Sequence, residues 1–100
     1  MIRATFKGDT GFTVSGHSGY AEAGADIVCA AVSSAVSLCE CAIRDVLGAD
    51  VSTAVSEENT CVSLELRGDS KEARDMICAL MIHLASLHDD YPEYIEVLEV

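Results

Sequence analysis

The order of elements read along the chain, ββαββαβ, predicts an α+β fold, a two-layer sandwich with two helices packed on one face of a sheet. Two observations carry that expectation. Two long segments repeat apolar residues at steps of three and four, as helices with one buried face do. The shorter segments between them alternate apolar and polar residues, as strands solvated on one side do. With 100 residues, 50% of them hydrophobic, the chain is long enough for one domain, residues 1–100, with one small core. Its two ββα halves are loosely alike in plan, and no linker or low-complexity tract divides them.

Each element has its own justification. Ile2, Ala4 and Phe6 alternate with Arg3, Thr5 and Lys7; Gly8-Asp9-Thr10-Gly11 then turns the chain into Phe12 and Val14, alternating with Thr13 and Ser15, a first β-hairpin. Residues 16–25 hold Gly16, Gly19 and Gly24 among alanines, follow no period, and read as a mobile loop. Asp26 is a good N-cap, so a helix is expected from Ile27 to Leu47, with Gly48 as its C′ residue. Val28, Val32, Ala35, Cys39, Ala42 and Val46 form its expected buried stripe. Val51 to Ser56 and Cys61 to Arg67 read as a second hairpin around Glu57-Glu58-Asn59-Thr60. Asp69, with Glu72 three residues later, has the form of a capping box. It opens a second helix carrying Ala73, Met76, Ile77, Leu80, Leu84 and Leu87 on one face; Pro92 ends that region, and Tyr94 to Val100 is a final strand.

Composition narrows the partners. Six basic residues stand against 17 acidic ones, a net charge of −11. That field repels phosphate, which argues against direct nucleic-acid binding, and attracts a basic polypeptide. The bland account of the acidity is solubility alone. No run approaches the roughly 18 apolar residues of a membrane span, and Met1 to Phe6 alternates rather than forming a signal-peptide core. Neither a membrane partner nor export is therefore expected. Five cysteines cannot all pair internally and fit no disulfide or zinc spacing. Free thiols in a reducing cytoplasm are the simpler account, with no metal and no organic cofactor.

The chemistry concentrates in Gly16-His17-Ser18-Gly19-Tyr20, a Gly/Ala-rich run, and Asp26-Ile27-Val28-Cys29-Ala30-Ala31-Val32-Ser33. A histidine and a cysteine stand on either side of one loop, the cysteine in the first turn of a helix. There a thiol faces unpaired backbone N–H groups and the positive end of the helix dipole, both of which favour a thiolate. Cys29 and Ser33 also lie off the apolar stripe, on the flank shared with Glu40 and Arg44, whereas a structural cysteine belongs on the stripe with Cys39. Backbone N–H groups at Cys29 and its neighbours are candidate oxyanion donors.

This pattern resembles the signature of the ribosomal-processing cysteine protease family (Prp), bacterial proteins of about this length. The resemblance follows the element order of the whole chain, with its identity concentrated in residues 14–33. It implies that His17 is the catalytic histidine and Cys29 the nucleophile, with Asp26 and Ser33 as polar helpers. It further implies a cytoplasmic, homodimeric endopeptidase that removes the N-terminal extension of a large-subunit ribosomal protein, a basic substrate suited to an acidic enzyme. Gly16, Gly19, Tyr20 and Gly24 would then belong to a loop folding over the peptide.

Other readings stay open at this point. The charge equally suits a non-enzymatic, acidic factor binding ribosomal proteins during assembly. A thiol-redox sensor built on Cys29 lacks a resolving cysteine at C-x-x-C spacing. Asp26 has a full structural account as N-cap, and Ser33 has an alternative reading as a back-bond to its own helix. Cys41 points away from Cys39, Cys61 and Cys78 fall on polar faces, and His83 and His88 flank the second helix's stripe. Glu57-Glu58 and Asp89-Asp90 read as solvated turn charges.

Overall fold

A computed structural model describes residues 1–17, 19–22, 26–58 and 60–100 of the chain. The described residues form β1 (Ile2–Lys7), β2 (Gly11–Ser15), α1 (Ile27–Cys41) continued by a π-helical turn (Ala42–Val46), β3 (Val51–Ser56), β4 (Cys61–Leu66), α2 (Lys71–Asp90) and β5 (Ile95–Glu99). The strands make one mixed sheet in the order β3-β4-β2-β1-β5, antiparallel throughout except for the parallel pair β1–β5. Both helices pack against it, giving the expected α+β sandwich. Strand and helix limits differ from the sequence expectation by a residue or so at several ends, where ladders fray.

Alternation along the strands becomes the core. Val55, Val62, Val14, Ala4 and Val97 lie in register across all five strands, with Val55 exposed at the β3 edge. Beside that row, Leu64 stands opposite Phe12 and Phe12 opposite Phe6, the two rings 5.8 Å apart. Ala4, Phe6, Ile43, Ala73, Ile77, Leu84 and Ile95 lose all contact with solvent. The helix pattern of α2 is met as expected: Ala73, Ile77, Leu80 and Leu84 are buried, and Met76 and Leu87 pack partly buried against them.

Three expectations need correction. The buried face of the first helix is Val28, Val32, Val36, Cys39 and Ile43, while Val46 is 77% exposed. Two causes shift the stripe. Val36 offers more apolar surface to the sheet than Ala35, and the last turn switches to i→i+5 bonding, with Leu47 N–H donating to the Ala42 carbonyl at 2.9 Å. Gly48 still closes the helix in the left-handed region (φ 64°), and Ala49 N–H reaches back to the Ile43 carbonyl at 3.0 Å.

The second helix is capped by Ser70 rather than Asp69. Its Oγ accepts from Ala73 N–H at 3.2 Å, so Asp69 and Glu72 form no capping box, and Asp69 lies instead 3.4 Å from Arg74 Nε. With Ser70 as the cap, Ala73 is the first fully buried residue of the helix. Finally, Ile27–Val46 does have the length and composition of a membrane span, with a mean hydropathy of 1.6. The run is rich in Ala, Val, Ser and Cys, and its charges, Glu40, Arg44 and Asp45, gather at the end. Of that run Val28, Val32, Val36, Cys39 and Ile43 are buried, while Ile27, Leu38 and Val46 stay exposed.

Candidate active site

The site begins with one turn of helix. Asp26 is extended (φ −81°, ψ 99°), and its Oδ1 accepts from Val28 N–H at 3.0 Å and from Cys29 N–H at 2.9 Å. Its own carbonyl takes Ala30 N–H at 3.1 Å. The N-cap role read from the sequence is therefore filled. The same bonds correct the oxyanion expectation: the Cys29 N–H already has the Asp26 carboxylate as its acceptor. A substrate oxyanion would have to displace that carboxylate to reach it.

Cys29, third residue of α1, is half-buried and faces a cleft of about 640 Å³. Its floor on the helix side continues through Ser33, Val36 and Glu40, successive turns of one α1 flank. The opposite wall is Gly16 and His17 just past β2, together with the turn joining β3 to β4. His17, Gly19, Asp26, Cys29 and Ser33 also border an adjoining cleft of about 550 Å³. Folding thus brings His17, Cys29, Asp26, Ser33, Gly16 and Gly19 to one place. Gly24 lies outside the described residues.

Gly16 has a stringent reason to be glycine. Its φ is 91°, and a Cβ there would sit 2.5 Å from the Met1 carbonyl oxygen. Its N–H donates to the Thr60 carbonyl at 3.0 Å, and the next residue's imidazole Nε2 lies 3.1 Å from Thr60 Oγ1. Thr60 was not foreseen as part of this wall, and neither was Cys61, which also borders the cleft. Nothing in their local sequence marks them. Only the β2–β4 register, which sets Ser15 opposite Cys61, places the turn against Gly16. Tyr20 packs edge-on to Tyr94 (5.2 Å) and Tyr91 (5.8 Å), fastening the loop to the region between α2 and β5.

Cys39 and His88 serve other ends. Cys39 is buried in the core and its thiol donates to the Met76 carbonyl at 3.7 Å; burial, with a lesser contribution from the Glu40 charge, pushes its pKa up to about 11. Such a thiol is a poor nucleophile. His88 Nδ1 lies 2.6 Å from the Ile95 carbonyl, a bond that ties α2 to β5. Among the described residues no three His, Cys, Asp or Glu side chains gather as a metal site. Arg44 pairs with Glu40 at 2.8 Å at one end of the cleft, and Glu57 adds an acidic group to its border.

Comparison with known proteins places this architecture. The chain is similar to an essential ribosomal processing protease Prp from S. aureus, solved in complex with a covalently linked product peptide. The two share 19% identity at a TM-score of 0.88, over 99% of this chain and 97% of that one. The same protease in complex with a substrate peptide gives a TM-score of 0.82 at 18% identity, with the same coverage. SMU.848 from Streptococcus mutans gives 0.85 at 25% identity, over 100% of this chain and 94% of that one. No curated protein matches the sequence. The model of the family described as cysteine protease Prp matches residues 1–96. The chain therefore belongs to the Prp family and is a cysteine protease.

Proposed function

We propose that the protein is an endopeptidase that removes the N-terminal extension of a bacterial large-subunit ribosomal protein, with Cys29 as nucleophile and His17 as general base. One observation carries the reading: in a chain of a cysteine protease family, the half-buried Cys29 at a helix N-terminus and His17 after β2 border the same cleft. The S. aureus relative, described as a ribosomal processing protease and captured with a covalently linked product peptide, supports the substrate class. The net charge of −11 and the presence of Glu40 and Glu57 at the cleft suit a basic chain.

In this reading His17 takes the Cys29 proton, and the thiolate attacks the scissile carbonyl carbon. The tetrahedral adduct collapses, the C–N bond breaks, and His17 returns the proton to the departing amine. A water deprotonated by His17 then hydrolyses the thioester and frees the thiol. Asp26 holds the turn that presents Cys29, and Ser33 supplies a hydroxyl one turn further along the cleft. The resemblance to Prp proteins also leads us to place the enzyme in the cytoplasm as a homodimer.

The test incubates the purified protein, and separately Cys29→Ala, with the precursor ribosomal protein bearing its extension, and reads the new N-terminus by mass spectrometry. A single cut by the wild type and none by Cys29→Ala is expected. Binding by both without a cut by either would overturn the substrate assignment.

A further inference from the structure

We propose that Thr60, on the turn between β3 and β4, is the positioning residue of the reaction: its hydroxyl holds His17 by Nε2 and thereby turns Nδ1 toward Cys29. This deepens the preceding reading and rests on His17 being the general base.

The first observation is backbone strain. Thr60 has φ 48°, and among the described residues it is the only one other than glycine in the left-handed region. A β-branched residue there is a true outlier, and strain of this kind costs on the order of 1–3 kcal/mol. Glycine would relieve it, so the threonine side chain must be accounted for by what it does.

The second observation is where that side chain goes. Thr60 touches the His17 segment twice: its carbonyl accepts the Gly16 N–H at 3.0 Å, and its Oγ1 lies 3.1 Å from His17 Nε2. A glycine at position 60 would keep the first bond and lose the second. The backbone bond fixes the height of the chain beside the cleft, helped by the Met1 carbonyl pressed against Gly16. The hydroxyl fixes the ring. His17 is exposed, so without that contact its imidazole would sample several rotamers over the cleft.

The proposal assigns one tautomer, the one in which the Thr60 hydroxyl accepts rather than donates. With Nε2–H donating to Thr60 Oγ1, the lone pair resides on Nδ1, the nitrogen left for the Cys29 thiol. After proton transfer the imidazolium still donates from Nε2 to the same oxygen. One acceptor thus serves both protonation states, the service a buried carboxylate or amide gives in other histidine-dependent hydrolases. It also explains why a turn from the second half of the chain belongs to a site whose other members come from the first.

The experiment uses the full chain and the precursor ribosomal protein, with Thr60→Val, Thr60→Gly, Thr60→Ser and His17→Ala. Thr60→Val is expected to lower kcat roughly 10- to 100-fold with KM nearly unchanged, as loss of an orienting bond does. Thr60→Ser should restore kcat to within about threefold, since it returns the oxygen. Thr60→Gly should lose kcat as Thr60→Val does while unfolding at a urea concentration no lower than wild type, because strain is relieved. Side-chain ¹⁵N spectra, which need no substrate, should show His17 with its proton on Nε2 in the wild type and a mixture of tautomers in Thr60→Val. If His17→Ala is inactive while Thr60→Val and Thr60→Gly cleave at wild-type kcat with the tautomer unchanged, His17 keeps its role and Thr60 loses this one. If His17→Ala cleaves normally, both assignments fall together.

Discussion

The starts of the two helices share one local chemistry and have different destinations. In each, the N-cap side chain accepts the N–H of the third helical residue, Asp26 from Cys29 at 2.9 Å and Ser70 from Ala73 at 3.2 Å. Ala73 is sealed in the core, whereas Cys29 faces a cleft. What differs is the approach: α2 follows β4 through residues 67–70 only, while α1 follows β2 through residues 16–26. A short entry leaves the helix start against the end of the strand it follows. A long one separates them, and the gap becomes a place where chemistry can be done. Capping alone does not open a cleft beside a cysteine; here the third residue after the short entry meets the core, and the third residue after the long entry meets the cleft.

That contrast can be broken on either side. The largest effect should come from the sealed half: Leu84→Ala, at 0% exposure, is expected to cost about 2–5 kcal/mol, from lost transfer energy and a cavity, read from urea midpoints. Cys29→Ala should cost well under that and abolish cleavage. The next effect tests the seam between the helices, where Cys39 meets Met76. Its thiol ionises near pH 9 when unfolded and at about 11 when folded, so burial stabilises the fold fully below pH 9. Stability should then decline from about pH 9 to 11 as the unfolded thiol ionises first, by on the order of 3 kcal/mol at most, and Cys39→Val should flatten the decline. The smallest and most discriminating effect compares the caps. Asp26→Ala and Ser70→Ala should each cost about 1 kcal/mol, somewhat more for Asp26, which caps two N–H groups. Only Asp26→Ala should also lower kcat.

Much of this was legible from one sequence because it is written in short-range patterns. Strand alternation, the Asp26 cap, Gly48 as C′ residue and the stripe of α2 all depend on residues a few positions apart. The failures came where a choice was settled by packing. Ala35 and Val36 are both apolar, and only the sheet decides which faces inward; Asp69 and Ser70 are both good caps, and the burial of Ala73 decides between them. The apolar run of 27–46 was underestimated because its serines and cysteines look polar one by one yet carry no charge. At the site, His17 and Cys29 stand on either side of one loop, and it is the resemblance to the Prp signature that names them together with Asp26 and Ser33. Thr60 could not be named, since its partner is 43 positions away and reaches it only through strand register.

The parallel pairing of β5 with β1 has a practical bearing. Ile2 lies beside Ile95 and Phe6 beside Glu99, so the backbone enters the sheet at the end that carries Gly16 and leaves it, at Val100, by the Phe6 end. Four strand steps of about 3.3 Å put the two ends of the strand about 13 Å apart. A dye, affinity handle or surface tether attached at Val100 stands clear of the cleft, while one attached at Met1 rests against the glycine that precedes His17 and competes for the space a peptide would enter.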